Sequence, residues 1–286
     1  MLDAIAIVLV RPQHPGNIGS AARAMKTMGL SDLRLVQPDR YPDIQANALA
    51  AGADDVLERA QVFERLEDAI ADCRMVMGST ARRRGVPLPE HAPREAAQVV
   101  LESARSGRVA LLFGCERACL TNEELQHCHA AVRIPANPEY SSLNLAQAVQ
   151  VLCYELRMNH LFPVQPGATS ATQAAAPPAL AATLERGDAL ATQAQVERFF
   201  VHLDQTLHDI DFHKGRSPDV VMQRLRRVFL RAALDERELR ILHGILADAQ
   251  RMAELALKSG LHVPTAVRRE AAPGERRGGD EGPNEA

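Results

Sequence analysis

The sequence predicts an α/β protein: a mostly parallel sheet covered by helices on both faces, followed by a small all-helical C-terminal extension. Three observations carry this. Residues 5–10 (IAIVLV) and 109–113 (VALLF) are short, fully apolar runs, the pattern of strands buried on both faces of a parallel sheet. Such runs alternate with segments of helical period as far as about residue 156. Beyond residue 163 no strand signal remains, and the later apolar residues recur at helical spacing.

The first strand, 5–10, ends in Arg11-Pro12-Gln13-His14-Pro15-Gly16-Asn17, where two prolines and a glycine exclude regular structure. Asn17 is placed to cap a helix whose apolar face is Ile18, Ala21, Ala22, Met25 and Met28, and Gly29 closes it. Residues 33–36 form the second strand, so the chain opens with a right-handed strand–helix–strand crossover. An Ala-rich helix is expected over 44–53, closed by Gly52, and a short one over 63–71. The strand at 74–77 (RMVM) runs into Gly78-Ser79-Thr80-Ala81-Arg82-Arg83-Arg84-Gly85. A helix over 94–104 leads to the strand at 109–113, which stops at Gly114. Thr121 and Glu124 have the spacing of a capping box. A strand over 132–134 breaks at Pro135, and the polar loop 137–142 (NPEYSS) leads into a helix over 143–156.

Residues 1–163 thus form the α/β domain and 164–188 a linker centred on the Ala-, Thr- and Pro-rich run 168–182. Residues 189–261 form a helical domain, and 262–286 read as a charged, disordered tail. Within the helical domain, Phe199, Phe200, Leu203 and Leu207 face inward on a helix over 189–208. Ser217-Pro218 opens a second helix with Val221, Leu225, Val228 and Phe229 inward. Asp235 with Glu238 opens a third, which stops at Gly260.

Composition narrows the functional classes. The chain has 286 residues, 46% of them hydrophobic but only 3% aromatic, so its core is aliphatic and Ala-rich. A net charge of −3 provides no global basic field for nucleic acid, although a local basic patch remains compatible with it. No apolar run is long enough to cross a bilayer, and Asp3 interrupts any signal-peptide layout, so a cytoplasmic protein is expected. Five cysteines without a secretory signal are expected to be reduced thiols. Cys115, Cys119, His127, Cys128 and His129 lie close in sequence, but they lack paired C-x-x-C spacing and cross a predicted helix; no metal is expected.

The strand-end loops carry the chemistry, because ligands of open parallel sheets sit at the carboxyl edge. There is no G-x-x-x-x-G-K-[ST] phosphate loop, no G-x-G-x-x-G after the first strand and no nucleophile elbow, so a nucleotide hydrolase or dinucleotide enzyme is unsupported. Three segments do share a pattern: 17–26 (NIGSAARAMK), 112–117 (LFGCER) with 120–124 (LTNEE), and 134–138 (IPANP) through 141–149 (SSLNLAQAV). In order and spacing they resemble the three motifs of the SPOUT-class RNA 2′-O-ribose methyltransferases. The wording of 137–145 and the helical extension are most similar to the TrmJ branch of that class, bacterial tRNA cytidine/uridine methyltransferases acting at position 32 of the anticodon loop.

The resemblance implies a parallel-sheet SPOUT fold with a C-terminal trefoil knot, a homodimer, a tRNA substrate and S-adenosyl-L-methionine as methyl donor. It places Ser79, Thr80, Ala81, Gly114, Ile134, Ser141, Ser142 and Leu143 around the cofactor. Gly114 would let backbone approach the ligand, and backbone groups of Ile134 and Leu143 would meet an adenine edge. Arg23 matches the arginine the family needs for catalysis, and Asn17, Glu116 and Ser142 match further motif positions. Attack of a ribose hydroxyl on a sulfonium methyl needs no metal, since the leaving group is neutral. An arginine is a poor base, so Arg23 would grip a phosphate or orient the 2′-oxygen, and Ser142 would hydrogen-bond the hydroxyl. Arg82, Arg83 and Arg84 are expected to contact RNA. Arg224, Arg226, Arg227 and Arg231 read first as a solvated helix face, and Ser141 and Ser142 as helix caps as well as ligands. Glycine is usual in the family at the position of Cys119, so a turn needing φ > 0 there would carry a Cβ. An RNA-binding or cofactor-sensing protein of the same fold, without catalysis, is the alternative; the matching Arg23 and Ser142 weigh against it.

Overall fold

The structure is a computed structural model that describes residues 1–81, 88–163 and 189–259. Seven strands form one sheet: β1 (Ile5–Val10), β2 (Asp32–Val36), β3 (Gln61–Phe63), β4 (Cys73–Ser79), β5 (Glu90–His91), β6 (Arg108–Phe113) and β7 (Ala130–Val132). Their order is β3-β2-β1-β6-β4-β7-β5, and every neighbouring pair is parallel. Around it lie α1 (Pro15–Met28), α2 (Ile44–Ala50), α3 (Asp54–Glu58), α4 (Leu66–Ala69), α5 (Pro93–Ser103), α6 (Asn122–Leu125) and α7 (Leu145–Leu161).

β1 is buried throughout and β6 everywhere but its first residue, which is why both read as unbroken apolar runs. Side chains alternate between two cores. Ile5, Ile7 and Leu9 join Leu111 and the inner faces of α1, α5 and α7 on one side. Ala6, Val8 and Val10 join Leu112, Leu66, Ile70 and Leu125 on the other. α1 and α2 approach so closely that a Cβ on Gly19 would lie 2.0 Å from the carbonyl oxygen of Ala46. On β2 the buried Arg34 holds Asp72 at 2.6 Å and Asp32 at 3.1 Å, and Arg108 adds a 2.5 Å contact to Asp32.

Several boundaries differ from the sequence reading. α1 starts at Pro15, with His14 rather than Asn17 in the N-cap position. Proline at the first helical position has its φ preset and lacks only an N–H that would be unpaired anyway. Asn17 therefore lies in the first turn, with its amide available elsewhere. Phe63 ends the short edge strand β3, and the helix expected over 63–71 shrinks to α4. β7 stops at Val132 because its partners stop: it pairs with β4 only as far as Ser79 and with β5 only at Glu90 and His91. α7 begins at Leu145 and runs to Leu161, and its cap is Asn144, whose Oδ1 accepts from Ala146 N and Gln147 N; Ser141 and Ser142 precede it.

The C-terminal helices are α8 (Gln193–Asp209), α9 (Pro218–Ala232) and α10 (Glu236–Lys258). Thr192 with Gln195 and Asp235 with Glu238 form capping boxes. Phe199, Phe200, Leu203 and Leu207 make a separate core with Leu225 and Phe229 packed against it. Val228, expected inward, is half exposed because Phe229 and Leu225 fill the inward positions of that face. Arg226 is not part of a solvated face: it makes a two-pronged pair with Glu197 at 2.6 Å and lies over the Phe200 ring. The helices dock on the sheet domain through Ala194 N to Ala71 O at 3.0 Å, through Arg74 to the Leu190 carbonyl, and through His127 to Glu197 at 3.4 Å. The expected linker over 164–188, the Gly260 stop and the tail over 262–286 lie outside the described residues, as do Arg82, Arg83 and Arg84.

Candidate active site

β4 lies between β6 and β7, so the loops leaving their carboxyl ends converge. Ser79, Thr80 and Ala81 from β4 form one wall of a cleft. Phe113, Gly114, Cys115, Glu116 and Cys119, from β6 and its turn, form a second. Ile134, Ser141, Ser142 and Leu143 from the loop after β7, with Leu145 and Ala148 of α7, close it. All eight residues assigned to the cofactor from sequence are therefore brought together, from segments up to 64 positions apart (Ser79 to Leu143). The cleft encloses ≈ 550 Å³ of empty space, the open solvent at its mouth included.

The turn after β6 explains Gly114. Cys115 and Cys119 form an antiparallel bridge, with Cys119 N donating to Cys115 O at 2.8 Å. A Cβ on Gly114 would sit 2.1 Å from Cys119 C and Leu120 N. Glycine is thus demanded first by the chain's own backbone, before any ligand approaches. Cys119 has φ 56°, the left-handed region that disfavours a side chain.

Glu116 organises the mouth. Its Oε2 accepts from Gln13 N at 2.9 Å, and its Oε1 accepts from His14 N at 3.2 Å and from Asn17 Nδ2 at 2.8 Å. Asn17 Oδ1 in turn accepts from Asn144 Nδ2 at 2.9 Å. Burial pushes the Glu116 carboxyl up, but the bonds from Asn17 and from the Gln13 and His14 backbone outweigh it and hold it below the usual carboxylate range. One carboxylate therefore ties the β1–α1 loop, the β6 turn and the start of α7 together. Asn144 is the member that the sequence reading did not single out. Its signal was its place in Leu143-Asn144-Leu145, directly before a helix, where a capping residue is expected.

Arg23 is exposed on α1 and does not line the cleft. Among the described residues its guanidinium has no hydrogen-bond or ion-pair partner. The cysteines and histidines of 115–129 are spread over different surroundings: Cys115 and Cys119 line the cleft, His127 faces Glu197, and Cys128 packs in the core. The cysteines are free thiols. His129 Nδ1 accepts from Val76 N at 3.1 Å, and burial pushes its imidazole down to about 4. Cys128 is fully buried, and burial pushes its thiol up.

Residues 4–154 match the SpoU rRNA methylase family, and residues 194–258 match the C-terminal domain of tRNA methyltransferase TrmJ. The tRNA (cytidine/uridine/adenosine-2′-O-)-methyltransferase TrmJ of Pseudomonas aeruginosa is 47% identical over 254 residues, covering 88% of this chain and 96% of that one. This chain belongs to the TrmJ family. The tRNA (cytidine/uridine-2′-O-)-methyltransferase TrmJ of Salmonella typhimurium is 49% identical over 257 residues, 87% of this chain and 98% of that one. The crystal structure of TrmJ from Z. mobilis ZM4 superposes with a TM-score of 0.72 at 37% identity, covering 85% of this chain and 97% of that one. The TrmJ family thus accounts for both the sheet domain and the appended helices.

Proposed function

We propose that this chain transfers a methyl group from S-adenosyl-L-methionine to a ribose 2′-hydroxyl of tRNA, at cytidine or uridine 32 of the anticodon loop. The observation that carries this reading is the single cleft in which Ser79–Ala81, Gly114, Ile134 and Ser141–Leu143 meet, braced by Glu116, in a chain of the TrmJ family. The residues suit the cofactor. Phe113, Ile134, Leu143 and Leu145 offer apolar walls to a purine, and Ser79, Ser141 and Ser142 add hydroxyls to the lining. Ile134 and Leu143 lie outside helix and strand, which leaves their backbone groups free of a ladder.

When bound, the cofactor supplies an electrophilic methyl on a sulfonium. The protein's contribution is alignment, which can supply about 7–11 kcal/mol. Ser142, exposed at the cleft, hydrogen-bonds the ribose hydroxyl. Arg23 keeps its charge and grips an RNA phosphate or the 2′-oxygen. It is carried by α1, whose first turn is tied to the cleft through Asn17 and Glu116. Both Glu116 oxygens are already taken by donors, so Glu116 and Asn17 are positioning residues rather than a base. Arg82, Arg83 and Arg84 follow directly on the cofactor loop and contact RNA phosphates.

The protein acts as a cytoplasmic homodimer. No helix among the described residues is long and apolar enough to cross a membrane, and Tyr154, Leu161 and Phe162 leave an apolar surface at the end of α7 for a second copy. The SPOUT knot is part of the reading: the chain crosses from β6 over β4 to β7, and α7 returns to pack beside α1 and α5. Residues 1–163 form the methyltransferase domain and 189–261 the helical domain. Incubation with labelled S-adenosylmethionine and undermodified bacterial tRNA should yield a 2′-O-methyl group at position 32. Cofactor binding without methyl transfer to any RNA would instead support the non-catalytic alternative.

A further inference from the structure

Far from the cleft, the end of α8 holds a group of side chains that methyl transfer does not use. Asp204 and His208 lie one helical turn apart on the same face. His213 comes from the turn before α9, where Asp211, Lys214 and Gly215 all take left-handed backbone conformations. One donor atom from each of Asp204, His208 and His213 lies within 4.8 Å of the other two.

Two further observations point to a ligand. His213 is 8% exposed, and among the described residues neither of its ring nitrogens has a hydrogen-bond partner. A buried imidazole with both nitrogens unmatched is costly and uncommon. His208 Nδ1 lies 2.8 Å from the backbone oxygen of Asp204. A carbonyl can only accept, so Nδ1 carries the proton and Nε2 keeps a free lone pair. A ligating histidine donates its other ring N–H to such an acceptor, so a backbone carbonyl here orients Nε2 for a metal. Neighbouring Asp209 does not compete for the site, because its carboxylate accepts from Gln205 and Gln250.

We propose that Asp204, His208 and His213 bind one Zn²⁺ ion that pins the α8–α9 turn. Two neutral imidazoles and one carboxylate are a borderline donor set suited to zinc, and three protein ligands leave a tetrahedral position for water. The metal would satisfy His213 and fix the start of α9, which carries Arg226 to Glu197. This departs from the sequence reading, which expects no metal. The spacing D-x-x-x-H-x-x-x-x-H matches no common motif, and only the fold of the turn brings His213 back to α8.

The test uses the full chain stripped with a chelator, with Zn²⁺ and Co²⁺ as probes. One Zn²⁺ per chain should survive dialysis, raise the unfolding temperature and, when replaced by Co²⁺, give the visible absorption of a tetrahedral site. Asp204→Asn, His208→Ala and His213→Ala should each weaken binding by more than the roughly 10- to 100-fold that loss of an outer-shell partner costs. His208→Ala should leave methyl transfer unchanged in zinc-free buffer. Should His213→Ala fail to fold, the two variants at more exposed positions decide. No bound metal above the dialysis background, or equal affinity in the wild type and the Asp204 and His208 variants, overturns the site.

Discussion

Replacing Glu116 by glutamine tests the brace at the mouth of the cleft. The side chain keeps its shape, but one carboxylate oxygen becomes an NH₂ group. If the amide oxygen faces His14 N and Asn17 Nδ2, the new NH₂ faces the Gln13 N–H, donor against donor. One charge-assisted bond, worth about 1.5–3 kcal/mol when shielded, is lost, and two others weaken to neutral strength, about 0.5–1.5 kcal/mol each. The Gln13 and His14 bonds are exposed, so water replaces part of the loss, and a net cost of about 1–3 kcal/mol is expected. Urea unfolding of the two proteins measures it. The folded-state pKa of Glu116 lies below its unfolded value, so its contribution is fully present above the unfolded pKa, about 4.3. It is lost as pH falls through the lower, folded value, where a protonated Glu116 resembles glutamine. The gap between wild type and Glu116→Gln should therefore be constant from pH 5 upward and close in stronger acid. An equal gap at pH 3 and pH 7, or no gap at pH 7, refutes the reasoning.

Three further outcomes follow from the same geometry. Gly114→Ala pushes a methyl into the Cys119–Leu120 backbone and should abolish S-adenosylmethionine binding by calorimetry, together with a stability loss of about 3 kcal/mol or more. Cys119→Gly removes a side chain from a left-handed position and should stabilise the protein by about 1 kcal/mol, raising the unfolding temperature by about 2–4 °C in a thermal scan. Arg34→Ala removes the buried partner of Asp32 and Asp72, but Arg108 still pairs with both and Asp72 is half exposed, so the expected cost in urea unfolding is about 1–3 kcal/mol, below that of breaking a fully buried pair.

What was legible in the sequence had a local cause. β1 and β6 announce themselves because both faces are covered, and the Thr121–Glu124 and Asp235–Glu238 boxes because capping needs only residues three apart. β3 and β5 escaped because strands of three and two residues, partly exposed, carry no period to read. The cofactor loops were placed by motif resemblance, and the cleft brings those same residues together. Cys119 was singled out as a side chain where φ > 0 would be needed, and its φ is 56°. The bracing role of Glu116 was not readable, since its partners Gln13, His14 and Asn17 lie about a hundred positions away. Arg226 read as a solvated charge because its partners Glu197 and Phe200 lie on another helix.

The most direct test of the central claim separates cofactor binding from transfer at one residue. Wild type and Arg23→Ala are compared for S-adenosylmethionine affinity and for methyl transfer to undermodified tRNA, with the product nucleotide mapped by mass spectrometry. The account predicts a 2′-O-methyl pyrimidine at position 32 with the wild type, and no transfer but nearly unchanged cofactor affinity with Arg23→Ala. Transfer that survives in Arg23→Ala, or a wild type that binds the cofactor yet methylates no ribose, would contradict it.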